Sequence, residues 1–274
     1  MKRAALLCLL AAGCAVQPSA KGGGIVSLNP CADAMLVELV PHDRIAAISH
    51  YSRDPAASSI DPGVARRLPV NNGTAEEVIA LRPDLAIIDS FTSVSTREAL
   101  ARAGVQTLTL GWASTIADSK AQIRDLAAVL HAEPAGEAMV ARIDRALAAA
   151  RTDSPRVAAL LWIGGNTVSG GGTLLDEMMV KAGFSDHAAH YGLQQTGYLP
   201  IEHVVADPPQ VMLVPDSTGR DSDSRAAQMR GWALARSGAK VHQARFDRSL
   251  VNCGGPVIAK AMTRLAEVRR EVEQ

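Results

Sequence analysis

Cys31 and Cys253 are the residues of this chain with the widest chemical reach. They stand in Asn29-Pro30-Cys31 and Asn252-Cys253-Gly254-Gly255-Pro256, each flanking the end of an apolar run that reads as a strand. Three roles fit such a pair: a disulfide closing a very long loop, free thiols facing a soft ligand or metal, or unrelated buried thiols. Spacing alone does not choose among them. His187 and His190 share an i, i+3 spacing and could join His50 or Asp216 around a metal. With seven histidines in the chain such a pair arises by chance, so no metal site is assigned. Gly165-Asn166-Thr167-Val168-Ser169-Gly170 has the glycine spacing of a phosphate-binding loop. Gly171-Gly172 replace the Lys-Ser/Thr that would reach the phosphates, so the stretch reads as a turn in a ligand rim. Neither a Gly-x-Ser-x-Gly elbow nor His-Glu-x-x-His occurs. The expected chemistry is binding rather than turnover, with no catalytic residue and no cofactor.

The elements that must position a ligand alternate strand with helix. Ile25–Leu28, Ile45–Ile48, Leu85–Ile88 and Val105–Leu110 read as short apolar strands, with helices over the Met35, Leu36, Leu39, Val40 pattern, Glu76–Leu81 and Arg97–Ala103. Near-continuous apolar strands alternating with helices predict parallel α/β layers. The second half repeats the plan: strands at Val157–Leu161, Val211–Val214 and Val241–Ala244, helices at Leu174–Lys181 and Pro256–Val272. Between them Ile116–Arg151 is helical with one break at Glu133-Pro134, and Met139, Ile143 and Leu147 form a stripe along the second part. The fold predicted is two Rossmann-like α/β lobes with parallel sheets, residues 24–133 and 153–274, joined by one long rigid helix, residues 134–152. Their ligand cleft lies between them.

Ligands of open α/β layers bind beyond the carboxyl ends of the strands. Those ends place Asn29, Cys31, Tyr51, Arg53, Asn71, Phe91, Trp112, Trp162, Asn166, Asp216 and, beside the second cysteine, Asn252 as candidate ligand contacts. Phe, Trp and Tyr number only three each, yet Tyr51, Phe91, Trp112 and Trp162 all fall at strand ends. Lys+Arg and Asp+Glu balance at 28 each and no basic run occurs, which argues against a nucleic-acid partner.

Residues 1–20 read as a secretory signal. Lys2 and Arg3 precede the apolar stretch Ala4–Ala12 and the small residues Gly13-Cys14-Ala15. That stretch is too short to cross a bilayer, which takes about 20 residues. Leu10-Ala11-Ala12-Gly13-Cys14 also resembles a lipobox, so lipid anchoring at Cys14 and plain secretion stay open. Either route puts the chain in the periplasm, where disulfides persist.

One internal match stands out. Glu76-Glu77-Val78-Ile79-Ala80-Leu81-Arg82-Pro83-Asp84-Leu85 aligns without gaps to Glu202-His203-Val204-Val205-Ala206-Asp207-Pro208-Pro209-Gln210-Val211. Both copies read acid, apolar helix turn, proline, buried strand. With Ile25-Val26-Ser27-Leu28-Asn29-Pro30, Arg44-Ile45-Ala46-Ala47-Ile48-Ser49 and the late Pro256, this order resembles the ABC-transporter solute-binding proteins of the vitamin B12/iron-siderophore type, the class III family with a helical backbone. The resemblance implies a monomer that captures a metal chelate, a ferric siderophore or a corrinoid such as cobalamin. It also implies delivery to an inner-membrane ABC permease, with Glu76 and Glu202 as the docking carboxylates. A haem or free-metal carrier of the same fold, and a secreted two-lobed enzyme, are the alternatives. Tyr51 matches an aromatic of the B12-binding pattern, whereas Val70 and Asp89 stand where that pattern has tryptophans.

Overall fold

The computed structural model describes residues 23–215, 225–238 and 240–273. The signal and lipobox at 1–20 and Asp216 lie outside the described residues.

The first half runs β1 Ile25–Ser27, α1 Pro30–Leu39, β2 Ile45–Ser49, α2 Pro62–Arg67, β3 Val70–Asn71, α3 Ala75–Leu81, β4 Leu85–Asp89, α4 Val94–Arg102 and β5 Thr107–Leu110. Its strands form one sheet in the order β3-β2-β1-β4-β5, and every pairing is parallel. Two helices follow, α5 Ile116–Val129 and α6 Glu133–Ala149, with Pro134 in the first turn of α6 as the sequence suggests. The second half runs β6 Val157–Gly164, β7 Thr167–Val168, α7 Leu174–Lys181, β8 Phe184–Asp186, β9 Gly197–Tyr198, α8 Ile201–Ala206, β10 Val211–Val214, α9 Arg225–Ser237, β11 His242–Arg245 and α10 Val257–Glu273. Its six strands form a second sheet, β11-β10-β6-β7-β9, with β8 also paired to β6.

That second sheet corrects the expectation of two parallel layers. β8, β10 and β11 join in parallel, but β6–β7 and β7–β9 are antiparallel. The cause is the Gly165-Asn166 turn, which folds β6 back on itself between Gly164 and Thr167 as a two-residue hairpin. The glycine-rich stretch that looks like a phosphate loop is therefore partly strand.

Alternation along the strands builds three apolar layers. Ile25, Ile87, Val211 and Leu213 point into a large core shared by both halves, which also takes Met35 and Leu36 of α1, Ile123 of α5, Met139 and Ile143 of α6, and Ile258, Met262 and Leu265 of α10. The alternate residues Val26, Ala86 and Ile88 pack outward with Val78 and Leu100. Leu160, Trp162, Met212 and Val214 do the same with Val204 and Leu234. Burial on both faces explains why these strands read as unbroken apolar runs. The expectation of a single connecting helix is refined here. α6, which leads from the first half to the second, packs along both α5 and α10, and α1 and α7 join them in the shared core.

A buried carboxyl fixes the rim of the first sheet. Asp33 in α1 is fully buried, and its Oδ2 accepts from Ser49 N (2.9 Å) and Ser52 Oγ (2.6 Å). Burial pushes this carboxyl up to about 7, against the opposing pull of the serine hydrogen bonds. It holds the 3-10 turn His50–Arg53 against the start of α1.

Candidate ligand cleft

The order of the first sheet reverses between β1 and β4, the place where doubly wound sheets open a crevice. A cleft of about 780 Å³ opens there, and facing walls from both halves line it. The first wall is Asn29 and Cys31 at the start of α1, Asp89–Phe91 after β4, and Leu110–Ser114 after β5. The second is Ile163 on β6, Gly172–Leu175 at the start of α7, and Gln195-Thr196 before β9. Val251–Gly254, just before α10, forms the floor.

The floor holds a Cys31–Cys253 disulfide with Cα atoms 5.3 Å apart, which decides among the three roles open to the pair. The crossing is tight beyond the bridge. Gly255 N donates to Ser119 Oγ at 2.6 Å, and Gly255 has φ +76 with the Met35 side chain where a Cβ would stand. A side chain on Gly254 would meet Ser119 Oγ at 2.6 Å. The run Cys253-Gly254-Gly255 is thus small because α1 and α5 leave room only for backbone.

Two aromatic rings stand out into the cleft. Phe91 is 80% exposed and Trp112 is 73% exposed, far more than large apolar rings usually show on a soluble surface. The backbone that carries each is held from behind. Asp89 Oδ1 accepts from Phe91 N and Thr92 N, each at 2.8 Å, while Arg97 clamps the same turn through the Asp89 and Thr92 carbonyls. Gln122 Nε2 donates to Gly111 O beside Trp112. Thr115 and Asp118 then close a capping box that starts α5. Ile116 N donates across to Glu177 Oε2 of α7 at 2.7 Å, which ties the two walls together.

The rest of the lining mixes apolar side chains, Leu110, Ile163, Leu174, Leu175 and Val251 among them, with uncharged polar groups. Amides come from Asn29, Gln122, Gln195 and Asn252, and hydroxyls from Ser90, Ser114, Thr173 and Thr196. Among the described lining residues the one ionisable side chain is Asp89, whose Oδ1 is already engaged by its own turn. None of them is His, Tyr, Met, Lys or Arg.

Of the residues chosen from strand ends, the structure brings Asn29, Cys31, Phe91, Trp112 and Asn252 together. Asn29 works chiefly as the N-cap of α1, accepting from Cys31 N at 2.7 Å, and Asn252 Nδ2 donates to Ala56 O. Tyr51, Arg53 and Asn71 follow β2 and β3, on the far side of the switch point, and none lines this cleft. Tyr51 is exposed and leans on the His50 ring, Arg53 donates to Leu68 O, and Asn71 is buried with Nδ2 donating to Ser27 O and Ile48 O. Asn71 therefore stitches strand ends rather than meeting solvent. Trp162 is a core residue at 1% exposure, its indole N–H donating to Gly165 O and its ring beneath Arg230. Asn166 sits in the hairpin turn and donates to Tyr198 Oη. Sequence reasoning missed Gln122, Thr173, Gln195 and Thr196. They stand on helices and a loop rather than at strand ends, and only Gly170–Gly172 hinted at them. A Cβ on Gly170 would lie 2.2 Å from Gln195 O, so that glycine lets the rim loops pack. Glu76 and Glu202 are exposed, each in the first turn of its helix.

The sequence profile described as "Periplasmic binding protein" matches residues 25–237. The chain belongs to that family. Among solved structures it is similar to the periplasmic heme-binding protein RhuT from Roseiflexus sp. RS-1, at 25% identity and a TM-score of 0.73 over 92% of this chain and 100% of that one. It is also similar in fold to the heme-binding HutB of Vibrio cholerae (19%, TM-score 0.72, covering 90% and 98%) and to the vitamin B12-binding BtuF of Vibrio cholerae (18%, TM-score 0.68, covering 91% and 97%). Among curated protein sequences no significant match is found. Among the described residues of this binding protein no helix is long and apolar enough to cross a membrane.

The bridge spans a sequence separation of 222 residues, so in the chain-entropy picture it contributes up to about 5 kcal/mol by restricting the unfolded state. A chain starting at Lys21, which lacks Cys8 and Cys14, should show no titratable thiol when denatured without reductant. Cys31→Ala with Cys253→Ala should lower the urea midpoint strongly. An unchanged midpoint would show that the helical core alone sets the stability.

Proposed function

We propose that this protein captures a metal chelate whose metal is already fully coordinated, and hands it to an inner-membrane ABC permease. The observation that carries this is the cleft lining: two exposed rings opposite a wall of apolar side chains, uncharged amides and hydroxyls, with no soft or imidazole ligand among the described lining residues. Such a surface stacks on a broad flat face and hydrogen-bonds to a polar periphery. It offers little to a bare cation, which needs donors, and little to a multiply charged anion, which needs arginines. Between the two chelates considered, a neutral or nearly neutral corrinoid suits it better than an anionic ferric siderophore. The family match and the vitamin B12-binding neighbour support the reading.

A haem reading stands second, favoured by one observation. The exposed phenol of Tyr51 follows β2, and the neighbours named above include heme-binding proteins. The described cleft lining supplies no axial ligand for haem iron, so haem would have to sit beyond that lining, toward the Tyr51 oxygen. Protein secreted by its own host, examined by native mass spectrometry and visible absorption, separates the two. The expected result is one bound corrinoid, with Phe91→Ala and Trp112→Ala each weakening it several-fold or more and Tyr51→Phe having little effect. A Soret band abolished by Tyr51→Phe would instead establish haem. Bare metal or a turned-over substrate would refute both.

The docking role comes from the family resemblance, and the internal repeat supplies the positions. Glu76 on α3 and Glu202 on α8 offer one carboxylate from each half to a two-fold permease, acting on a monomeric, periplasmic binding protein released or anchored by its leader. As exposed groups they contribute roughly 0–1 kcal/mol to folding. Across an interface they set orientation and encounter rate, and partner arginines left unpaired there are costly. Glu76→Ala with Glu202→Ala should therefore leave ligand affinity unchanged while transport into proteoliposomes falls sharply, each single variant losing less. Wild-type transport by the double variant, or lost ligand binding, would remove the assignment.

A further inference from the structure

A second site lies on the far side of the C-terminal sheet from the cleft floor, built from His187, His190 and Asp207. The histidines fall on the 3-10 turn His187–Tyr191, where side chains three apart eclipse, and their rings stack with centroids 4.4 Å apart. Asp207 is the C-cap of α8, inside the second copy of the internal repeat. His187 is buried, whereas His190 and Asp207 are exposed. Their donor atoms, His187 Nε2, His190 Nδ1 and a carboxylate oxygen of Asp207, all lie within 4.8 Å of one another.

The spacing is informative. Asp207 Oδ2 is 3.4 Å from His187 Nε2 and 3.4 Å from His190 Nδ1. The His190 contact is a long hydrogen bond, against a usual range of about 2.7–3.2 Å, and the His187 contact is an ion-pair distance without a hydrogen bond. They match the edge of a tetrahedron around an ion with ~2.0–2.1 Å bonds, which is about 3.3–3.4 Å. His187 Nε2 donates to the Asp207 carbonyl at 3.0 Å, to which Tyr191 Oη also donates, so an ion bound at Nε2 takes the place of that proton and its hydrogen bond.

We infer that His187, His190 and Asp207 form a divalent transition-metal site of zinc type, with the fourth position open to water. Two imidazoles and one carboxylate are a borderline donor set suited to zinc. The ion would cross-link the 187–191 turn to the end of the helix that carries Glu202. This site is independent of whatever occupies the cleft.

The test is zinc titration of the untagged chain starting at Lys21 by calorimetry, with cobalt absorption as a geometric probe. One zinc per chain should bind, and His190→Gln and Asp207→Asn should each weaken it by about tenfold or more. Both positions are exposed, so these variants test ligation without emptying the core, and circular dichroism confirms their fold. Cobalt should give the intense visible bands of a tetrahedral site in wild type and lose them in both variants. Zinc should also raise the melting temperature of wild type only. Absence of zinc binding, equal binding by both variants, or a weak octahedral cobalt spectrum would overturn the assignment.

Discussion

The whole arrangement depends on one crossing, where the segment before the last helix returns to the start of the first. Cys31 and Cys253 are joined there, and Gly254 and Gly255 thread between α1 and α5 with no space for side chains. This crossing carries α10 into the groove beside α6, so residues from the first and last helices share one core. Were the two halves to part, that core would open along its length. At roughly 25 cal/mol per Å² of apolar surface exposed, such an opening is strongly opposed. The cleft is consequently a preset gap between two halves of one body.

What fills a preset gap is selected by its walls. The switch point between β1 and β4 turns the loops after β1, β4 and β5 toward the second half, and those loops carry Phe91 and Trp112. Hydrogen bonds fix the backbone under each ring before any ligand arrives, through the Asp89 turn with its Arg97 clamp and through Gln122. Ordering costs that a flexible loop would incur on binding are thereby met during folding. The opposite wall contributes amides and hydroxyls on loops packed at Gly170, which gives orientation without net charge. A flat, internally coordinated chelate meets both walls at once.

Much of this was legible in the sequence, for physical reasons that differ by element. Strands such as Leu85–Ile88 and Val211–Val214 announce themselves because both faces are buried, and Pro134 marks the α5–α6 break. The two-residue strands β3, β7 and β9 carry too little pattern to be seen, which hid the antiparallel part of the second sheet. At the site the strand-end rule found Phe91 and Trp112 but could not tell which strand ends face the cleft. That depends on sheet order, and order put Tyr51 and Asn71 on the other side. Trp162 shows a further limit, since an indole at a strand end is equally a core plug when its N–H finds a carbonyl. Gln122, Thr173, Gln195 and Thr196 reach the cleft from helices and a loop, where one-dimensional pattern holds no trace of direction.

Small-angle scattering with and without bound ligand tests the central claim most directly. A single body with a shared core, a disulfide across its cleft floor and a hydrogen bond from α5 to Glu177 can tighten only locally when ligand enters. The radius of gyration should then change by less than about 1 Å, well short of the rearrangement seen in hinge closure of strand-linked binding proteins. A contraction of several ångströms would contradict the account and show that the two halves move as separate bodies.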